Sequence, residues 1–169
     1  SIRRQRQMCI RDSLFTYFQL RSPLNPTDKT FRFKAAIVDH LSLFEPNPTF
    51  VETASTILEE AGFTVDYYPW DKVDVDFYRK LPKHGYGLIV LRVHSALTDV
   101  HPTWVCLFTS ELYSERKYQW EQMEERIGIA CFLNPDAGYF FGINPDFIRL
   151  SAEGRFCESI VIMMGCDGL

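Results

Sequence analysis

Hydrophobic residues recur along the chain in two patterns, one typical of buried strands and one typical of amphipathic helices. Apolar or alternating runs bounded by turn residues predict strands at residues 31–38, 63–68 and 86–93. Apolar residues at helical spacing predict a helix that Gly62 closes, and residues 74–81 predict a shorter one. The chain therefore alternates between strands and helices.

This alternation predicts an α/β fold built on a mainly parallel sheet. The connections between the strands are too long for hairpins, so each should cross a face of the sheet, and such crossovers are right-handed. Helices on both faces give a doubly wound arrangement. Thr49 and Glu52 match a capping box, which predicts where the longer helix begins, and Pro82 is expected to end the shorter one.

A segment of different character, at about residues 96–150, follows the third predicted strand. It contains two short predicted strands, residues 104–109 and 139–143, on either side of a charged helical or turn segment at residues 118–126. We expect the two strands to pair antiparallel as a flap over one edge of the parallel sheet. A helix is predicted to begin at residues 144–146 and to end before Gly154.

A fourth buried strand, residues 160–164, leads into Gly-Cys-Asp-Gly at residues 165–168, much as the third strand leads into His94. If these strands are neighbours in a parallel sheet, their carboxyl ends place an imidazole and a thiol at the same rim. A thiolate is a nucleophile, and an adjacent histidine can take its proton. The alternative is that Cys166 and His94 are packing residues.

The two strand ends resemble those of the caspase-like (clan CD type) cysteine peptidases, which include caspases, metacaspases, separases, gingipains and CHAT-domain proteases. The resemblance covers residues 31–168, and the Met-Gly-Cys form is closer to separases than to caspases. It implies a caspase/flavodoxin-like three-layer sandwich that hydrolyses peptide bonds in a polypeptide substrate without cofactor or metal. It also implies that Cys166 is the nucleophile and that His94 is the acid or base.

In that family, backbone N–H groups beside the histidine and at the cysteine form the oxyanion hole. The resemblance therefore assigns this role to Ser95, or alternatively Ala96, and to Gly165 and Cys166.

The resemblance also indicates residues for substrate specificity. Asp39 and His40 end the first strand, where the family builds part of its primary pocket, so Asp39 would favour a basic residue before the scissile bond. The alternative for Asp39 is a solvated loop carboxylate. Asp167 is a third candidate, with capping of a following helix as its alternative role.

The chain departs from the family pattern in three ways. Ser95 stands where caspases have glycine, the insertion lengthens the interval between histidine and cysteine, and no residue follows Leu169. Family members continue with a helix and further strands. We therefore expect a C-terminally truncated, marginally folded and inactive domain with an unpaired apolar edge.

The N-terminal segment resembles the translation of a transposon-library sequencing adapter over residues 3–13. We therefore expect an assembled environmental sequence with arbitrary ends, and we exclude residues 1–13 from the fold. Residues 14–30 are expected to be a linker, or the stub of a membrane anchor at residues 14–20, with a short buried strand as the alternative. Cytoplasmic and membrane-anchored locations both stay open.

Composition favours one globular domain, and the resemblance implies that residues 31–169 are a partial caspase-like domain. The sequence is 46% hydrophobic and 24% charged, which suits a single core at this length. Excluding residues 1–13 removes four arginines and one aspartate, so Lys+Arg falls from 18 to 14, Asp+Glu falls from 22 to 21, and the net charge changes from −4 to −7. An acidic domain without a basic stripe is a poor nucleic-acid binder.

The remaining cysteines form no C-x-x-C pair, which argues against a zinc knuckle or a disulfide framework. Cys106 and Cys131 are expected to be core residues, Cys157 precedes the last strand, and all three are expected to be structural.

Two other classes stay open. One is a catalytically inactive caspase-like interaction domain, in which both dyad residues persist. The other is a flavodoxin-like or receiver-like signalling module, although a receiver needs an acidic residue after its third strand and this chain has His94. A dinucleotide-binding domain is disfavoured, because the turn at residues 39–42 lacks glycine.

Overall fold

The computed structural model describes residues 33–97, 105–132, 138–151, 156 and 159–165. Their fold is mixed α/β, with one four-stranded parallel sheet and one four-stranded antiparallel sheet. Among these residues, no helix is long and apolar enough to cross a membrane.

The parallel sheet contains the four strands predicted for it. They are β1 (Lys34–Asp39), β2 (Thr64–Pro69), β3 (Leu88–Arg92) and β8 (Ile160–Met164), in the spatial order β2-β1-β3-β8. All three pairings are parallel, so the prediction of parallel strands is confirmed.

The helices of this part lie between the strands as predicted. Helix α1 (Pro48–Glu60) connects β1 to β2, and α2 (Val75–Lys80) connects β2 to β3. The capping-box prediction was wrong: Asn47 is the N-cap and its side chain accepts a hydrogen bond from Phe50 N at 3.0 Å. Pro48 occupies the first turn, where its fixed φ and missing N–H suit a helix start. Gly62 follows the helix at φ +89°, which side chains disfavour.

The shorter helix begins where the sequence predicted. The Asp74 carboxylate accepts a hydrogen bond from Phe77 N at 2.6 Å as its N-cap. The α-helix ends at its C-cap Leu81, directly before Pro82 as predicted, and the chain continues into a 3-10 turn at Leu81–His84.

The antiparallel sheet comes mostly from the insertion. Its strands are β4 (Ser95–Leu97), β5 (Val105–Leu112), β6 (Ile127–Cys131) and β7 (Tyr139–Ile143), in the spatial order β4-β5-β7-β6. The expected antiparallel pairing of β5 with β7 is confirmed. The predictions missed β4 and β6, and only α3 (Gln119–Met123) is helical in the charged segment.

One core joins the two sheets. One face of the parallel sheet contributes Ala36, Val38, Ile89 and Leu91, which are 6% exposed or less. They belong to the same buried cluster as residues of α2, of the antiparallel sheet and of α4 (Pro145–Ser151). The antiparallel sheet therefore shares a hydrophobic core with the parallel sheet, whose strand β3 leads to His94.

Candidate active site

The ends of β3 and β8 lie side by side at the carboxyl edge of the parallel sheet. The register pairs Arg92 with Met164, and Val93 N then donates to Met164 O at 3.2 Å. Gly165 follows Met164 in the chain, as His94 follows Val93. The two predicted site segments are therefore neighbours.

Gly165 is in close contact with the histidine segment. A Cβ atom at this position would lie 2.6 Å from Ser95 Oγ and 3.0 Å from the carbonyl oxygen of Val93. Real Cβ atoms essentially never approach another atom to 2.6 Å, so a side chain at this position would force the Ser95 hydroxyl or the two strand ends to shift. The predicted residues Cys166 and Asp167 lie outside the described residues.

His94 is half-buried among aromatic rings. Its ring centroid lies 4.9 Å from that of Phe132, 5.9 Å from that of Phe108 and 6.1 Å from that of His40. Burial lowers the pKa of His94, the Glu45 carboxylate opposes this by raising the pKa, and the Arg92 guanidinium lowers it. A lowered pKa favours the neutral imidazole at neutral pH, which is the form that can accept a proton.

His40 lies behind His94 and away from solvent. It is 0% exposed, its ring centroid lies 4.3 Å from the Trp70 ring, and neither ring nitrogen has a hydrogen-bond partner. Burial lowers its pKa to about 3, against a smaller opposing influence of the Thr109 backbone. The specificity role predicted for His40 requires contact with substrate, and this buried position does not provide it.

Asp39 is not an open carboxylate either. It is 1% exposed and accepts a hydrogen bond from Arg92 Nη1 at 2.6 Å and one from the Tyr67 hydroxyl at 3.3 Å. From the sequence, we expected Asp39 to be either an accessible pocket residue or a solvated loop carboxylate. Its buried, hydrogen-bonded position matches neither expectation. Asp39 is the buried partner of Arg92, a residue that the sequence analysis did not single out.

Ser95 begins β4 and is 5% exposed. The chain beside it is held by the backbone, because Phe108 N donates to His94 O at 3.0 Å and Ser95 pairs with Leu107. The end of β3 and the inserted antiparallel sheet thus meet at His94.

The other cysteines differ from one another. Cys106 is partly buried, and burial raises the pKa of its thiol to about 12. Cys131 is exposed, so its predicted place in the core was wrong, and Cys157 lies outside the described residues. Among the described residues, no group of three or more His, Cys, Asp and Glu side chains is placed to hold a metal ion.

Four residues around His94 and His40 escaped the sequence analysis, namely Glu45, Trp70, Arg92 and Phe132. Only Arg92 left a local signal, because a charged residue that ends an apolar strand needs a buried partner. Aromatic residues separated by more than 60 positions carry no such signal, since only the tertiary fold brings them together.

The chain matches no family model, no curated protein and no solved structure.

Proposed function

We propose that this chain carries the catalytic dyad of a caspase-like cysteine peptidase, with His94 and Cys166 as its members and a polypeptide as its substrate. The observation that supports this most directly is the contact between Gly165 and the segment Val93–Ser95 at the ends of two adjacent parallel strands. The residue after Gly165 is Cys166, so the thiol and the imidazole follow neighbouring strand ends. The doubly wound sandwich of that family is part of the same proposal.

In the proposed reaction, His94 takes the proton of the Cys166 thiol, and the thiolate attacks the carbonyl carbon of the scissile bond. Backbone N–H groups at Ser95, Gly165 and Cys166 stabilise the tetrahedral oxyanion. The imidazolium then gives its proton to the leaving amine, and an acyl-enzyme remains. Water, deprotonated by His94, hydrolyses the thioester and restores the thiol.

The lowered pKa of His94 supports this role, because a histidine that is neutral at neutral pH can accept the thiol proton. Asp39 is excluded from the proposed substrate pocket by its ion pair with Arg92. The proposal therefore assigns no charge preference to the residue before the scissile bond.

A second candidate is an inactive caspase-like interaction domain. The Phe132 ring packs edge-on against His94, with 71° between the ring planes, and Phe44 packs against Phe132 at 4.7 Å. Such an aromatic cover favours a packing role for the histidine.

Selective labelling separates the two candidates. The protein, with any native sequence that follows Leu169, is treated with peptide acyloxymethyl ketones that carry Arg, Asp, Leu or Phe beside the reactive group. We expect at least one probe to modify Cys166 well before Cys106, Cys131 or Cys157, as measured by peptide mass spectrometry.

The matched variants are His94→Ala and His84→Ala. Loss of a general base typically lowers rates by about 10²–10⁴-fold, so His94→Ala should nearly abolish labelling while His84→Ala leaves it unchanged. His84 is a suitable control because it lies in the 3-10 turn before β3, where its ring stacks on Tyr86. Equal labelling of all cysteines in the folded protein would favour the inactive domain.

A further inference from the structure

The backbone of Glu45 is fixed beside the candidate active site. Its N–H donates to Leu41 O at 2.8 Å, and its carbonyl oxygen accepts a hydrogen bond from Arg92 Nη2. Arg92 is two residues before His94 on the chain. The loop that carries Glu45 is therefore attached to the strand that carries His94.

Arg92 is itself held in place. Its Nη1 donates to Asp39 Oδ1 at 2.6 Å while Nη2 donates to Glu45, so one planar guanidinium joins the end of β1, the loop after it and the end of β3. The residue is 9% exposed, and a buried guanidinium in this geometry has little freedom to move.

A second set of contacts links the same loop to His94. The ring of Phe44, which precedes Glu45, lies 4.7 Å from Phe132, and Phe132 lies 4.9 Å from His94. The Glu45 residue is exposed, so its carboxylate is hydrated. The loop thus brings a carboxylate to the histidine side of the sheet edge.

The titratable and charged groups around His94 come from two elements. The loop after β1 provides Glu45 and the buried, neutral His40, while β3 provides Arg92, whose charge is paired with Asp39. The rings packed on His94 from β5 and from the end of β6, Phe108 and Phe132, carry no charge. Among the described residues, Glu45 is the carboxylate that raises the pKa of His94.

We infer that Glu45 is a positioning residue for His94, held by the Asp39–Arg92 pair so that its carboxylate stabilises the imidazolium formed when His94 takes the thiol proton. This inference rests on the proposed function. The proton moves from the Cys166 sulfur to the imidazole and later to the leaving amine, and Glu45 takes no part in the proton transfer. Its contribution is electrostatic, in the same sense as the aspartate of a catalytic triad.

The first test measures His94 directly and does not depend on peptidase activity. The Cε1–H resonance of His94, assigned through His94→Gln, is titrated by NMR in the wild type, Glu45→Gln, Glu45→Asp and Glu52→Gln. Glu52→Gln removes the same charge from an exposed position on α1 and serves as the matched control.

We expect the pKa of His94 to fall in Glu45→Gln, because the attraction that favours the imidazolium is lost. Glu45→Asp should retain part of the effect, and Glu52→Gln should superimpose on the wild type. A Glu45→Gln titration identical to that of the wild type would overturn the inference, as would an equal shift in Glu52→Gln.

The second test follows the pH dependence of Cys166 labelling. His94 must be neutral to take the thiol proton, so the ascending acidic limb of the rate profile should move to lower pH in Glu45→Gln. Above that limb we expect the rate to fall about two- to fivefold, because the imidazolium formed in the reaction loses the attraction of a hydrated charge. A profile that superimposes on the wild type would overturn the catalytic part of the inference.

The two tests separate the inference from the proposed function. A reactive Cys166 with an unchanged His94 titration overturns the role of Glu45 and leaves the peptidase proposal intact. An unreactive wild-type Cys166 with a shifted His94 titration overturns the peptidase proposal, and the electrostatic coupling of Glu45 to His94 then stands without a catalytic role.

Discussion

Arg92 and Asp39 form a buried ion pair, 2.6 Å from Nη1 to Oδ1, where β1 and β3 end side by side. Their side chains are 11% and 1% exposed. Removing one partner would leave the other charge buried and unpaired, which is far more costly than the loss of a hydrated pair. The ion pair therefore stabilises the edge of the sheet that carries His94.

We expect Arg92→Met and Asp39→Asn each to lower the free energy of unfolding by about 3–5 kcal/mol. The measurement is urea unfolding followed by circular dichroism. The matched control is Lys80→Met, because the Lys80–Asp76 pair is about half-exposed on both sides and should contribute less than about 1 kcal/mol. Similar losses in the buried and the exposed pair would contradict the structural role of Arg92.

Gly165→Ala should separate the ends of β3 and β8. The added methyl group would lie 3.0 Å from the Val93 carbonyl oxygen, a backbone atom that cannot turn away, and still closer to Ser95 Oγ. We expect a loss of about 1–3 kcal/mol in unfolding free energy. Gly128→Ala is the control, since a Cβ there meets no atom within 4 Å. Equal stability of the two variants would show that Gly165 does not make this contact.

Gly142 and Cys106 should behave as a coupled pair across β7 and β5. A Cβ at Gly142 would overlap the Cys106 sulfur and lie 3.1 Å from Ala130 Cβ. Gly142→Ala is expected to cost about 1–3 kcal/mol, and part of this loss should be recovered when Cys106→Ala removes the sulfur. A double-mutant cycle measured by thermal unfolding checks this. Strictly additive effects would exclude the contact.

His40 should make the folded protein sensitive to acid. Its pKa in the folded state is about 3, below the ordinary value of 6.5, so the unfolded chain binds the proton first as the pH falls below 6.5. The folded state then loses stability between about pH 6.5 and pH 3, at up to about 1.4 kcal/mol per pH unit, and keeps it fully above that window.

The variant that checks this is His40→Phe, which keeps an aromatic ring against Trp70 and cannot titrate. Unfolding free energies of the wild type and the variant are compared from pH 7.5 to pH 4.5. The difference between them should grow as the pH falls, since all other titrating groups are shared. A constant difference across this range would show that His40 is protonated equally in the folded and unfolded states.

The alternation of strands and helices could be predicted from sequence because its causes are local. Strand β7 and the glycine that follows α1, Gly62, are both recognisable from neighbouring residues alone. The predicted juxtaposition of the His94 and Gly165 segments also agrees with the structure, since parallel neighbouring strands place their carboxyl ends at one edge. The N-cap was misplaced by two residues because Asn47 and Thr49 are both good caps and Pro48 decides between them.

The sequence by itself therefore determined the parallel sheet and the positions at which its strands end. Only the tertiary structure decided what surrounds those ends. Arg92 comes 53 positions after Asp39, and whether that carboxylate faces solvent depends on the register of two strands. The edge strands β4 and β6 could not be predicted from the sequence either. Strand β4 (Ser95–Leu97) is too short for a periodic signal, and only Ile127 and Ala130 are buried in β6. Periodicity is a property of adjacent residues, whereas the pairing of charges and rings depends on which distant segments the fold brings into contact.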